Sequence, residues 1–402
     1  MAAPPPSTST ITESPYTHSA QSQTQPQSQP QPHPHPPNPR TLRIGTRSSA
    51  LALAQCTLFT TLLPPTTHGG PLTTIIPTTT SLGDTDKSTD LHTLASGGKA
   101  LWTEDLEQEL LQGRVDVLVH SMKDVPTQIA REFRVVAVGG REEARDAVVM
   151  SATRTKEGMR TLRGLPDGAV VGTSSVRRAA MIRRMYPHLR IQDVRGNVGT
   201  RLDKLDNPEM GFDALVLAGA GVQRIGLGGR VSSWLGKEEG VLHAVGQGAL
   251  GVEWRAGDEW VEGLIGGLGK GREAKRVRWE CVAERGVLRA LEGGCSVPVG
   301  VACSWQDSSP DAPPSLTPLP APSPTPNPSH PSASGLLNLH GMVVSLDGQE
   351  CIQGSQRHYV SSDAEAEECA MKLYRELVEK GAEKILKEIT LNRGMIRGLG
   401  GA

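Results

Sequence analysis

The chain has 402 residues and a formal net charge of −1, with 42 Lys and Arg against 43 Asp and Glu. That length allows two or three domains with separate cores, and the balanced charge gives nucleic acid or an acidic membrane no whole-molecule attraction. Six cysteines, at positions 56, 281, 295, 303, 351 and 369, show no C-x-x-C spacing and no matched histidines, which argues against a zinc site and a disulfide scaffold and fits a reducing compartment.

Residues 1–40 are rich in Pro, Gln, Ser and Thr, with no Lys or Arg before Arg40. They read as a disordered tail, and neither an Arg-rich transit peptide nor the apolar run of a signal peptide is present. No later window approaches the roughly 18 apolar residues of a spanning helix, so the expected location is the cytoplasm. After the tail, short apolar runs alternate with amphipathic segments, the pattern of an α/β protein. The predicted elements begin with a strand at Leu42–Gly45, a helix over Ser49–Leu63 closed by Pro64-Pro65, a helix at Thr103–Leu111, and strands at Val115–His120 and Val135–Val138. A second unit follows, with strand Ala169–Gly172, helix Val176–Met185, strand Arg190–Val194, helix Val198–Leu205 and strand Ala214–Ala218. The run Gly246–Val252 is extended and too apolar for a surface loop, and a long helix covers Glu273–Leu291. Strands and a helix at Ala364–Lys380 complete the chain, interrupted by a Pro/Ser-rich insertion at 306–334. The expected domains are 41–140 with 246–266, 141–244, and 271–402.

The chemistry concentrates where strands give way to helices. Gly172-Thr173-Ser174-Ser175-Val176-Arg177-Arg178 ends a strand in small and hydroxyl residues and opens a helix, whose unsatisfied first-turn amides form an anion site. Arg195-Gly196-Asn197-Val198-Gly199-Thr200-Arg201 repeats the design, and Arg47-Ser48-Ser49 is a third such turn. Between Arg141 and Arg201 there are 13 Lys and Arg against 6 Asp and Glu, and 12 of the 13 are arginine, the side chain whose planar fork fits carboxylates and phosphates. Ligands of open α/β sheets bind beyond the strand carboxyl ends, so these arginines should face one crevice. No phosphate loop or dinucleotide fingerprint accompanies them. His120-Ser121-Met122-Lys123-Asp124-Val125-Pro126 closes a strand with a carboxylate able to stabilise a developing cation or move a proton; His120 itself fits a core role. Gly97-Gly98-Lys99-Ala100-Leu101-Trp102 would suit a lid. Finally, Leu291-Glu292-Gly293-Gly294-Cys295-Ser296-Val297-Pro298 presents a thiol on a glycine-thinned loop, where it can hold a group covalently as a buried thiol cannot.

Taken together, HSMKDVP, VGTSSVRR, VRGNVGTRLDKLD, AVGQGALGVE and LEGGCSVP, in that order, resemble the porphobilinogen deaminase (hydroxymethylbilane synthase) family, and GGKALW looks like its fungal form. The resemblance covers about Leu42 to Ile389. It implies two periplasmic-binding-protein-like lobes and a smaller α+β C-terminal domain. It also implies a transferase of heme and tetrapyrrole biosynthesis that condenses four porphobilinogen units on a dipyrromethane primer, releasing ammonia and then hydroxymethylbilane. Cys295 matches the thioether attachment point and Asp124 the catalytic carboxylate. Lys123, Thr173, Ser174, Ser175, Arg177, Arg178, Arg195, Gly196, Arg201, Gln247 and Gly248 would hold the primer, while Arg47, Ser49, Lys99, Arg177, Arg195, Arg201 and Arg224 would hold substrate carboxylates. Ala95, Glu104-Asp105 and Glu143-Ala144 depart from the family pattern. No metal, nucleic acid or membrane partner is implied, and a monomer is expected. A solute receptor is the first alternative, but needs neither Asp124 nor the flanked thiol. Nucleic-acid binding is the second, and 3% aromatic residues leave it few stacking platforms.

Overall fold

The computed structural model describes residues 40–78, 104–291, 297–306 and 333–399, with side chains through 390. The tail, the Lys99 loop, Thr103 at the start of its expected helix, Cys295 and nearly all of the 306–334 insertion lie outside the described residues.

The strands in chain order are β1 (Thr41–Arg47), β2 (Leu72–Thr78), β3 (Val117–Ser121), β4 (Phe133–Val138), β5 (Asp146–Met150), β6 (Val170–Gly172), β7 (Arg190–Gln192), β8 (Ala214–Ala218), β9 (Ser233–Leu235), β10 (Leu250–Arg255), β11 (Val299–Gln306), β12 (Gly335–Val344) and β13 (Cys351–Val360). They form three sheets, ordered β2-β1-β3-β10-β4, β7-β6-β8-β5-β9 and β11-β12-β13. The first two share one plan. Three strands run parallel (β2, β1 and β3; β7, β6 and β8) and a fourth lies antiparallel beside them, β10 in the first sheet and β5 in the second. That fourth strand always enters from the other lobe. The chain builds β1 to β4, crosses into the second sheet as β5, completes β6 to β9, and crosses back as β10, inserted between β3 and β4. The run expected to be extended over Gly246–Val252 is instead a turn at its start, with Gly246 at φ +70° and Gly248 at φ +88°, and becomes a buried strand from Leu250.

Each sheet is apolar because helices cover it. In the first lobe Leu42, Ile44, Val117, Val119 and Val252 pack with Cys56 and Phe59 of the helix Ala50–Leu62. In the second lobe Val148, Val171 and Val216 pack on Ala180, Met181 and Ile182 of the helix Val176–Met185. The third sheet buries Leu337, Leu339 and Val343 against Val287 of the helix Arg272–Ala290 and Leu373 of the helix Asp363–Glu379.

The two crossings lie side by side. Glu142 N donates to Gly248 O at 3.2 Å, Gln247 Nε2 donates to Ala144 O at 2.6 Å, and Arg141 Nε donates to Gln247 O at 2.9 Å. Gly248 has φ +88°, and a Cβ there would stand 2.3 Å from Glu142 O, so only glycine permits this approach. Glu284, from the long helix Arg272–Ala290, fastens both: it accepts from Arg141 at 2.8 and 2.9 Å and from Gly246 N at 2.7 Å. No helix among the described residues is long and apolar enough to cross a membrane.

Candidate active site

β3 runs directly into a single 3-10 turn, Met122–Asp124. Met122 and Val125 are buried with Ala137, Ala249, Val277 and Cys281, which anchors the turn by its apolar residues and leaves the two polar residues between them for the cleft. Asp124 is exposed. Lys123 is half-buried, with Nζ 3.5 Å from Gln247 Oε1. Desolvation pulls its ammonium down to about 8; Asp124 opposes that shift and Arg178 adds to it.

Across from this turn, β6 ends at Gly172, where a Cβ would fall 2.4 Å from Leu215 Cδ2. Thr173 N donates to Gln192 O at 3.0 Å, Thr173 Oγ1 accepts from Ser175 N at 3.3 Å, and the Ser174 hydroxyl donates to Val194 O. Ser175 caps the helix Val176–Met185 by accepting from Arg178 N at 3.4 Å. Both arginines then turn inward. Each is 5% exposed, and both reach the fully buried Asp146 at 2.8 Å, Arg177 by Nη1 and Arg178 by Nη2. Burial alone would push the Asp146 carboxyl up, but the two guanidiniums outweigh it and hold the group well below the usual carboxylate range. Arg178 also donates to Val216 O at 3.2 Å and to Gln247 Oε1 at 3.4 Å. Gln247 completes the link by donating Nε2 to Asp146 Oδ1 at 2.8 Å. A continuous polar path therefore runs from Lys123 of the first lobe through Gln247 to Asp146, Arg177 and Arg178 of the second.

The next strand-to-helix turn adds more positive charge. Gly196, with φ +117°, offers its carbonyl to Arg201 Nε at 2.7 Å, and Asn197 Oδ1 accepts from Thr200 N at 2.8 Å to cap the helix Val198–Asp206. Arg195 is half-buried, and its carbonyl accepts from Lys204 Nζ at 3.1 Å. Burial lowers Arg201 to about 10, helped by Arg178 and Arg195 and resisted by Asp193 and Asp124. Arg201 therefore feels the Asp124 carboxylate of the opposite lobe as well as the neighbouring arginines.

Three further candidates occupy supporting positions. Arg47 is half-buried at the end of β1, and Ser49 caps the helix Ala50–Leu62, accepting from Ala52 N at 3.3 Å. Arg224 braces the crossings, donating Nη2 to Gly248 O at 2.7 Å with Nε 3.1 Å from Glu142. His120 is a core histidine, its Nε2 3.0 Å from the buried Glu253. Cys281 is buried, and desolvation pushes its thiol up to about 12, which makes it inert. Sequence reasoning passed over Asp146, the shared counter-ion, and the Arg141–Glu284 pair. An acid heading the otherwise apolar run Asp146-Ala147-Val148-Val149-Met150 is the signal for the first, because a buried carboxylate requires partners.

The duplicated five-stranded plan, the double crossing and the cation-lined gap between lobes define a two-lobed α/β protein of the periplasmic-binding-protein-like class with a third, smaller domain. The family model described as "Porphobilinogen deaminase, dipyromethane cofactor binding domain" matches residues 42–263, and that described as "Porphobilinogen deaminase, C-terminal domain" matches residues 279–379. The chain belongs to the porphobilinogen deaminase family and is an enzyme of it. A porphobilinogen deaminase of Neurospora crassa is 40% identical over 88% of this chain and 95% of its own length. One of Eremothecium gossypii is 39% identical over 87% and 98%, and one of the cyanobacterium Prochlorococcus marinus is 39% identical over 76% and 84%. Among solved structures, the open form of Lactococcus lactis GlnP substrate-binding domain 2 aligns with 61% of this chain and 96% of that one, at 12% identity and a TM-score of 0.37.

Proposed function

We propose that this chain is a hydroxymethylbilane synthase, joining four porphobilinogen molecules head to tail on a dipyrromethane primer bound through a thioether to Cys295, and releasing ammonia and then the linear tetrapyrrole. The observation that carries this reading is the pool of desolvated positive charge. Desolvation pulls Lys123 and Arg201 down to about 8 and about 10, with Arg177, Arg178 and Arg195 adding to the effect. Such a site is completed by an anion, and each pyrrole unit brings an acetate and a propionate. The residues present therefore fit the primer.

In this reading Lys123, Arg195 and Arg201 bind carboxylates directly, each charge-assisted contact contributing roughly 1.5–3 kcal/mol. Arg177 and Arg178 act from a buried base on Asp146, sending positive potential into the cleft, while Thr173, Ser174, Ser175 and the Gly196 turn offer hydrogen bonds at two helix starts. Gln247 and Gly248 keep the crossings in register beneath the primer, and Arg47, Ser49, Lys99 and Arg224 serve the incoming substrate. Once bound, the primer supplies the nucleophilic pyrrole carbon. Asp124, exposed at the cleft and backed by a fixed turn, accepts hydrogen bonds from pyrrole N–H groups, stabilises positive charge as ammonia leaves, and removes the proton lost on coupling. The first two sheets and the third form the three domains, with boundaries near 140, 245 and 270. The enzyme works as a cytoplasmic monomer on a small-molecule substrate, without nucleic acid or membrane partners.

Intact-mass and peptide mass spectrometry test the core of this reading. The purified protein should carry a covalent adduct of two pyrrole units on the peptide containing Cys295, and an unmodified chain would leave the solute-receptor alternative standing. The Lys123 shift gives a second expected result. A lysine that loses its proton near 8 holds a carboxylate only while charged. Loading of primer-free protein with porphobilinogen should weaken as pH rises through 8 and take up a proton there, and Lys123→Arg should flatten that dependence. An unchanged profile in the arginine variant would remove Lys123 from the anion site.

A further inference from the structure

The turn that carries Asp124 is held from behind by the helix that leads to Cys295. Arg285 lies on Arg272–Ala290, ten positions before the cysteine, and is 8% exposed. Its guanidinium donates Nη1 to Val125 O at 3.0 Å and Nη2 to Pro126 O at 2.5 Å, the carbonyls of the two residues after Asp124. Met122 and Val125, either side of Lys123-Asp124, pack on Val277 and Cys281 of the same helix. One helix thus grips the turn twice, by apolar contacts at Met122 and Val125 and by a fork across consecutive carbonyls. A lysine ammonium would reach those carbonyls as a single point charge, whereas the planar guanidinium fixes their spacing and direction. The same helix secures both crossings through Glu284.

We propose that Arg285 is a positioning residue for the reaction: it fixes the turn that carries the Asp124 carboxylate against the helix Arg272–Ala290. The inference rests on the functional reading above, in which Asp124 acts on a ring tethered at Cys295. Arg285 is buried behind the turn, with its guanidinium on the carbonyls of Val125 and Pro126. It acts by holding the Asp124 turn on a rigid helix, so that the carboxylate meets the reacting ring without a search.

A double-mutant cycle on the primer-loaded enzyme tests it, with kcat, KM and thermal midpoint measured for Arg285→Met, Asp124→Asn and the double variant. Arg285→Met should lower kcat by roughly ten- to a hundredfold, the cost of a small misplacement, with KM within about twofold and the Cys295 adduct retained. Arg285→Lys should recover only part of kcat. Most tellingly, Arg285→Met should cost little further kcat once Asp124 is already asparagine, because a residue acting through another is silent when that other is gone. Losses that multiply in the double variant would overturn the proposal, as would a lower midpoint with normal kcat and KM per folded molecule. If the methionine variant does not fold, the Arg285→Lys/Asp124→Asn cycle is read by the same criterion. Normal turnover of Asp124→Asn alone would instead strike the functional reading itself, so the two failures are distinguishable.

Discussion

Asp124→Asn is expected to fold normally, keep its pyrrole adduct, and lose roughly 10²–10³-fold in kcat, the scale seen when one preorganised electrostatic partner of a developing charge is removed. The side chain is exposed on a turn held by Met122 and Val125, so the change should alter stability by no more than about 0.5 kcal/mol. KM for porphobilinogen should move little, since the amide keeps its shape and an oxygen acceptor and loses only the charge that matters as ammonia departs and the base that takes the coupling proton. Steady-state turnover and adduct mass on the same preparation decide it, and near-normal turnover would refute the assignment of Asp124.

The second large effect is on stability. Asp146→Asn leaves Arg177 and Arg178 buried without their shared counter-ion, and breaking a buried ionic cluster from one side costs about 3–5 kcal/mol. Denaturant unfolding should detect this as a lower midpoint, accompanied by poorer loading of primer-free protein with porphobilinogen as the first turn of Val176–Met185 loosens. The pH dependence has a defined sign. The Asp146 carboxyl is depressed in the folded protein, so its contribution is fully present above the ordinary carboxylate value of about 3.9 and is lost as pH falls below that toward the folded value. The wild-type protein should therefore shed this increment in acid, and Asp146→Asn should lack that part of the acid transition. An asparagine variant as stable as wild type at neutral pH would mean that the two guanidiniums find other partners.

Local chemistry was far more legible in the sequence than long-range pairing. Ser175 and Asn197 declare their helix starts by residue type and position, and the structure places both as caps. Ala214–Ala218 announces a buried strand by its apolar run and Leu42–Gly45 by apolar residues either side of Arg43, whereas β2, with three exposed residues at its start, offers no such pattern. β5 also escaped, because a five-residue run buried at every position has no alternation to mark it as a strand. The expected strand Arg190–Val194 is shorter in the structure, ending at Gln192, because Val194 O already receives the Ser174 hydroxyl in the turn that follows. The arginine motifs pointed to an anion site, but nothing near Arg177 in sequence predicts that its fork is seated on an acid 31 positions earlier. Likewise Arg141 meets Glu280 and Glu284 at separations of 139 and 143 residues. Insertion of β10 between β3 and β4 joins segments more than a hundred residues apart, and such register follows from the tertiary fold rather than from local propensity.

The paired crossings constrain how the lobes can move. A single connecting strand would let one lobe swivel freely, but here two run together, laced by Glu142 N to Gly248 O and by Gln247 Nε2 to Ala144 O. Torsion of one lobe about the long axis would shear those bonds, whereas opening like a book about the line of the spine leaves them intact. A change in the width between the facing walls of the two lobes is therefore compatible with these bonds, and a twist of one lobe against the other is not.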